Sequence, residues 1–123
     1  MRAASLISSF RYAFVGVRYL LWTQRNAKIQ SAIGLAAIGL GVVLGIERYE
    51  WLALLVTITL VIAAEGVNTA LEAIVDLTSP EYHTLAKIAK DVGAGTVLIT
   101  AIASVIIGIV LFLPHLLPLI MGR

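Results

Sequence analysis

Cysteine is absent from this 123-residue chain, which excludes a disulfide framework, thiolate metal sites and a cysteine nucleophile while leaving the compartment open. Charge is scarce: Asp, Glu, Lys and Arg make up 13% of the sequence, against ~25% in an ordinary soluble domain. The net charge of +2 is too small to argue for a nucleic-acid partner. No P-loop, HExxH, GxSxG or strand-linked GxGxxG occurs, so a bound nucleotide would sit in no standard soluble-fold pocket; Gly93-Ala-Gly95 reads as helix packing. There is no internal repeat, low-complexity tract or second domain. What remains is apolar: 60% of the residues are hydrophobic and the mean hydropathy is +1.00, which excludes both disorder and an ordinary soluble domain.

A membrane span needs ~20 mostly apolar residues to cross a ~30 Å hydrocarbon core. Ile29 to Ile46 is 18 residues without a charge, Trp51 to Ala64 is 14 and continues as an apolar helix pattern to Leu77, and Val92 to Pro114 is 23. Three buried helices of a soluble bundle would need polar faces toward water, and the first and third runs have none. Arg11, Arg18 and Arg25 step by seven along one stripe of the N-terminal segment, and Leu6, Phe10, Phe14, Val17 and Leu21 recur at spacings of three and four along another. That is an amphipathic helix lying in an interface; the arginines interrupt any signal-peptide core, and no cleavage site follows. The expectation is an all-α membrane protein forming one integral-membrane domain over 1–123, with a surface helix at about 3–24 and spans at about 27–46, 51–78 and 84–113. After the break at Ser79-Pro80 a short helix from Glu81 leads into the third span, and Pro114 and Pro118 mark a frayed outer end.

Orientation follows from basic residues near the span ends. Arg2, Arg11, Arg18, Arg25, Lys28, Lys87 and Lys90 fall on one side and only Arg48 and Arg123 on the other. This places the N-terminus and the 78–91 segment in the cytoplasm, with Trp22, Tyr49 and Trp51 at interfacial positions. Gly34, Gly39, Gly41 and Gly45 in the first span, the last two in GxxxG spacing, allow close helix approach in lipid. Three such spans bury little surface alone, which points to an oligomer.

Acidic residues interrupt this pattern. At ~100° per residue, Glu65, Asn68, Glu72 and Asp76 fall within roughly 80° of arc and form one polar stripe on an apolar helix. With ~1.5 Å of rise per residue from Trp51 at the outer interface, Glu65 lies ~21 Å deep and Glu72 ~31 Å. Glu65 is therefore inside the hydrocarbon and Glu72 at its cytoplasmic boundary. A carboxylate at the membrane centre costs ~2.5–3.5 kcal/mol even on a lenient scale, and intramembrane acids usually mark function. The bland alternative is hydrogen bonding across helices to hold an oligomer together. After Pro80, His83, Lys87, Lys90 and Asp91 form a second stripe at the helical repeat, where the bland reading is an interfacial charged turn.

These residues resemble the prokaryotic diacylglycerol kinase and undecaprenol kinase family of small integral-membrane lipid kinases. The resemblance runs from Phe10-Arg-Tyr-Ala-Phe-Val-Gly16 through Gln24-Arg-Asn-Ala-Lys-Ile to Glu65-Gly-Val-Asn-Thr-Ala-Leu-Glu72, Val75-Asp76 and Glu81-Tyr-His-Thr-Leu-Ala-Lys-Ile-Ala-Lys-Asp91. It implies a homotrimer in the bacterial inner membrane, with composite sites between subunits at the cytoplasmic interface, and ATP and Mg²⁺ as co-substrate and cofactor. By resemblance, Glu65 is the catalytic base and Asn68 positions it, while Glu72 holds the metal that bridges the ATP phosphates. Tyr12, Gly16, Asp76, Glu81, Tyr82, His83, Lys90 and Asp91 match nucleotide-site positions.

Two positions depart from the family pattern. Gln24 stands where many members have a second metal-binding glutamate, so it is expected at the metal and nucleotide with weaker affinity. Ser5 replaces a basic residue often found early in the surface helix, leaving Arg2 or Arg11 to substitute. The Ala-Lys-Ile-Ala-Lys-Asp form leans toward undecaprenol as acceptor over diacylglycerol. Two other readings stand beside the kinase: a small transporter or proton-coupled channel subunit with Glu65 as its ion or proton site, and an inactive assembly protein.

Overall fold

Each apolar run is a helix in the computed structural model of the protein, which describes residues 5–122. Arg2, Arg123 and the start of the surface helix at residue 3 lie outside the described residues. Four helices follow one another: α1 (Leu6–Thr23), α2 (Arg25–Leu44), α3 (Arg48–Thr78) and α4 (Thr84–Ile120). The last three are long and apolar enough to cross a membrane. At ~1.5 Å per residue, the 31 residues of α3 and 37 of α4 exceed a ~30 Å core, so their ends project beyond it. Hydroxyls within these helices return their protons to the backbone: Thr57 to the Ala53 carbonyl at 2.7 Å, Thr59 to Leu55 at 2.8 Å and Thr96 to Val92 at 2.9 Å. A lone hydroxyl would otherwise be unpaired in hydrocarbon.

α1 begins at Ser5, whose hydroxyl accepts from the Ser8 N–H at 3.2 Å, a serine N-cap. It buries no residue, and its stripe of Leu6, Phe10, Phe14, Val17 and Leu21 is exposed, as a helix facing the headgroup boundary requires. The α2–α3 hairpin turns at Gly45, which has φ 64° and ψ 49°. Its N–H bonds to the Gly41 and Val42 carbonyls, and the Ile46 N–H bonds to Gly41, so a left-handed glycine closes the helix. Gly45 thus caps α2, whereas Gly41 and Gly34 make the close approaches. A Cβ on Gly41 would stand 2.9 Å from the Trp51 ring and one on Gly34 3.1 Å from Ile58. The GxxxG spacing therefore serves the hairpin within one chain. α3 opens with a reciprocal capping box between Glu47 and Glu50, which satisfies two otherwise unpaired N–H groups.

α3 is the central element, packed by α4 along its length and by α2. The main buried cluster, Ile46, Leu54, Leu111 and Phe112, lies at the end of the α2–α3 turn with Trp51 and Leu116 against it. There His115 Nε2 sits 3.0 Å from both Glu50 oxygens.

The structure differs from the sequence expectation at both ends of α4. The helix does not fray at Pro114 but continues through Pro118 to Ile120. Leu111, Phe112, Leu116 and the Glu50–His115 pair hold these turns against α3, and neighbouring helices make proline tolerable in a span. No separate short helix begins at Glu81: α4 starts at Thr84 and runs unbroken. His83 is its N-cap, with Nδ1 accepting from the Leu85 N–H at 3.0 Å.

Candidate active site

The cavity of interest lies where the end of α1, the start of α2 and the C-terminal half of α3 meet. Gln24 is extended, φ −95° and ψ 118°, and serves both helices as a cap. Its N–H bonds to the Leu20 carbonyl at 3.1 Å and its carbonyl accepts from Lys28 at 3.1 Å. This corner turns the chain from the surface helix into the first span, bringing Gln24, Arg25 and Asn26 to a cavity of about 250 Å³. Glu65, Asn68 and Glu72 of α3 line it from the other side, and Ala94 and Val97 of α4 complete it. The helical spacing that put the three α3 side chains on one face thus delivers them to one space.

Glu65 is 3% exposed and Asn68 8%. The Asn26 amide donates to Glu65 Oε1 at 3.5 Å. The Thr69 hydroxyl, 3.5 Å from Oε2, also bonds to the Glu65 carbonyl at 2.8 Å. Asn68 Oδ1 is buried without a partner, and it faces Gly93, where an added Cβ would collide with it. Gly93 is therefore the place where α4 approaches α3 most closely at the site, while Gly95 faces open space. Gly93→Ala is expected to force Asn68 or α4 aside, costing about 1–3 kcal/mol as overpacking does, with Gly95→Ala neutral. Thermal unfolding in detergent followed by circular dichroism checks this; equal midpoints for the two variants would contradict the packing argument.

Four of the twelve residues singled out in the sequence line the cavity: Gln24, Glu65, Asn68 and Glu72. Asp76 and Lys90 form an ion pair at 2.5 Å that links α3 to α4, and Lys87 pairs with Asp91 at 2.6 Å one turn along α4. Lys90 thus turns to α3 while Lys87 and Asp91 hold each other, so this charged stripe divides between two partners. Glu81 and Tyr82 lie in the exposed connection before α4, where the Ser79 hydroxyl donates to the Glu81 carbonyl at 3.3 Å. Tyr12 is exposed on α1 with the Arg11 guanidinium 5.7 Å from its ring centre. Gly16 has open space around it.

Two polar lining residues, Arg25 and Asn26, were not singled out, nor were the apolar Ala94 and Val97. Arg25 counted only as a basic flank, and Asn26 only as a member of a motif. The hairpin register was the available signal: a tight turn at Gly45–Glu47 sets residues equidistant from it side by side, and this pairs Asn26 with the turn of α3 that carries Glu65.

Among the described residues, no three His, Asp or Glu side chains are grouped as a metal cage. The cavity offers carboxylates from Glu65 and Glu72 and an amide oxygen from Gln24. Mg²⁺ is usually held by one or two carboxylates plus substrate phosphates, so this donor set fits an ion that arrives with a nucleotide.

Residues 11–112 match the family model for prokaryotic diacylglycerol kinase. A diacylglycerol kinase of Synechocystis sp. is 50% identical over 118 residues, covering 95% of this chain and 67% of the relative. An undecaprenol kinase of Bacillus subtilis is 37% identical, covering 88% of each chain. A diacylglycerol kinase of Escherichia coli K12 is 32% identical, covering 89% of this chain and 90% of the relative. Three spans, a carboxylate buried on the second of them and the match across nearly the whole sequence agree: the chain belongs to the prokaryotic diacylglycerol kinase family.

Proposed function

We propose that this lipid kinase transfers the γ-phosphoryl group of ATP to the hydroxyl of a membrane lipid alcohol, with undecaprenol preferred to diacylglycerol. Membership of a kinase family supports this reading over a transporter or an inactive assembly protein. The observation that carries the proposal is the burial of Glu65 beside Asn68, Gln24 and Glu72 in a single cavity. In this scheme the lipid hydroxyl reaches Glu65 from the bilayer and gives it its proton. The hydroxyl oxygen bonds to the γ-phosphorus as the bond to ADP breaks. Asn68 orients the reacting groups, and Lys90, released from Asp76, neutralises phosphate charge, since phosphoryl transfer depends mainly on positioning and electrostatics. Mg²⁺ bound with ATP would be held by Glu72 and Gln24, and it supplies Lewis-acid neutralisation of the phosphates. Tyr12, Gly16, Asp76, Glu81, Tyr82, His83 and Asp91 are assigned to the nucleotide.

A volume of about 250 Å³ falls below the ~300–1,000 Å³ typical of small-molecule pockets. We assign the phosphoryl end of ATP to this space, with the nucleoside outside it. We assign the remainder of the site to a neighbouring copy in a homotrimer. An apolar groove of about 620 Å³, lined by Gly34, Ala37, Ile58, Ser104 and Phe112 among others, is left open by the single chain. A second copy or lipid would cover it. The excess of basic residues at the site end supports a cytoplasmic position for that end in an inner-membrane protein.

Purified protein with labelled ATP and a panel of alcohols tests the acceptor. The expected order is undecaprenol, then diacylglycerol, with glycerol turned over very poorly, because the ~10 Å depth difference between Glu65 and Glu72 suits an acceptor arriving from lipid. Equal catalytic efficiency toward glycerol and a membrane lipid would overturn the arrangement. A preference for diacylglycerol would overturn only the choice of lipid.

A further inference from the structure

We propose that Asn26 is a positioning residue for the phosphoryl transfer, its side-chain amide holding the Glu65 carboxylate in the orientation from which it takes the acceptor proton. The inference rests on the reading of Glu65 as the base. Glu65 has two carboxylate oxygens and few neighbours able to donate to them. Thr69 lies 3.5 Å from Oε2, but its single proton is committed to the Glu65 carbonyl at 2.8 Å. Asn26 Nδ2, 3.5 Å from Oε1, is then the side-chain donor available to the carboxylate among the described residues. Its span of sequence, 39 residues, also makes it the link that ties the surface-helix corner to the acidic stripe.

The donor stands on a fixed support. Asn26 belongs to the first turn of α2, and the next residue, Ala27, is 0% exposed against the rest of the bundle. A donor on a packed helix is held more closely than one on a loop. A glutamate with one oxygen engaged presents the other to a hydroxyl, and without that contact the long side chain samples several rotamers. The 3.5 Å separation is loose for a charge-assisted bond, which prefers ~2.7–2.9 Å. Such contacts commonly tighten when substrates complete a catalytic site.

The experiment measures kcat and the KM for ATP in Asn26→Ala and Asn26→Asp, alone and combined with Glu65→Gln. Asn26→Ala is expected to lower kcat by about 10–10²-fold, the scale of a misplaced reacting group, with the KM for ATP unchanged. Asn26→Asp keeps the shape but replaces the donor with an acceptor, so it should lose at least as much; it also serves if the alanine variant fails to fold. In the Glu65→Gln background, Asn26→Ala should have no further effect on the residual rate, because residues acting as one unit are not additive. Parental kcat in Asn26→Asp, or losses that multiply fully in the double variant, would overturn the inference. Parental turnover in Glu65→Gln would instead overturn the reading of Glu65 itself, and the inference with it.

Discussion

Glu65→Gln is expected to lower turnover by ~10²–10⁴-fold, the usual contribution of a general base, while folding, assembly and ATP binding persist. Glutamine matches glutamate in size, retains an oxygen able to accept from Asn26, and is a neutral side chain in a buried place. The substitution therefore removes proton acceptance and little else. Glu65 is almost fully enclosed, so no bulk-water base has easy access to the same hydroxyl. Single-turnover phosphorylation with labelled ATP measures the loss, and nucleotide binding by the same preparation shows that the site still forms. Near-parental turnover by Glu65→Gln would remove this carboxylate from the chemistry.

Glu72→Ala carries the other large effect. Glu72 and Gln24 both line the cavity, and of the two only Glu72 brings a negative charge to a hard cation. Its loss should reduce the metal-dependent rate by about 10²–10³-fold, the scale of removing one electrostatic stabiliser from a reacting centre, with partial recovery at high Mg²⁺. The reverse change, Gln24→Glu, adds an anionic oxygen and should lower the Mg²⁺ concentration for half-maximal activity, because Mg²⁺ favours carboxylate ligands. Titrations of rate against Mg²⁺ for both variants and the parent decide the matter. If Gln24→Glu and the parent overlay, Gln24 is not a ligand; if Glu72→Ala keeps the parental curve, neither is Glu72.

The helices were legible in the sequence because hydrocarbon imposes a length and forbids charge, leaving α2, α3 and α4 as runs with little ambiguity. The stripe of Glu65, Asn68 and Glu72 was legible for the same reason, since polar residues on an apolar helix stand out against their neighbours. What composition and periodicity did not reveal depends on contacts between distant segments. Asn26 meets Glu65 because Gly34 and Gly41 admit Ile58 and Trp51, and that register is a property of the folded hairpin. Asp76 and Lys90 had each been assigned to the nucleotide, and their mutual ion pair appears only when the C-terminal end of α3 and the N-terminal end of α4 lie together. The helix through Pro114 and Pro118 likewise survives because packing and the Glu50–His115 contact outweigh a local preference to stop.

The ties along the α3–α4 pair differ in kind from one end to the other. At one end Leu54, Leu111 and Phe112 interlock and Glu50 grips His115; at the other, an exposed Lys90–Asp76 bridge spans the two helices. Apolar burial and an enclosed pair are little affected by salt, whereas an exposed ion pair is screened by it, so the two ends of the helix pair respond differently to ionic strength. The candidate site lies toward the ion-paired end, so added salt would loosen the helix pair there first while the far end stays closed.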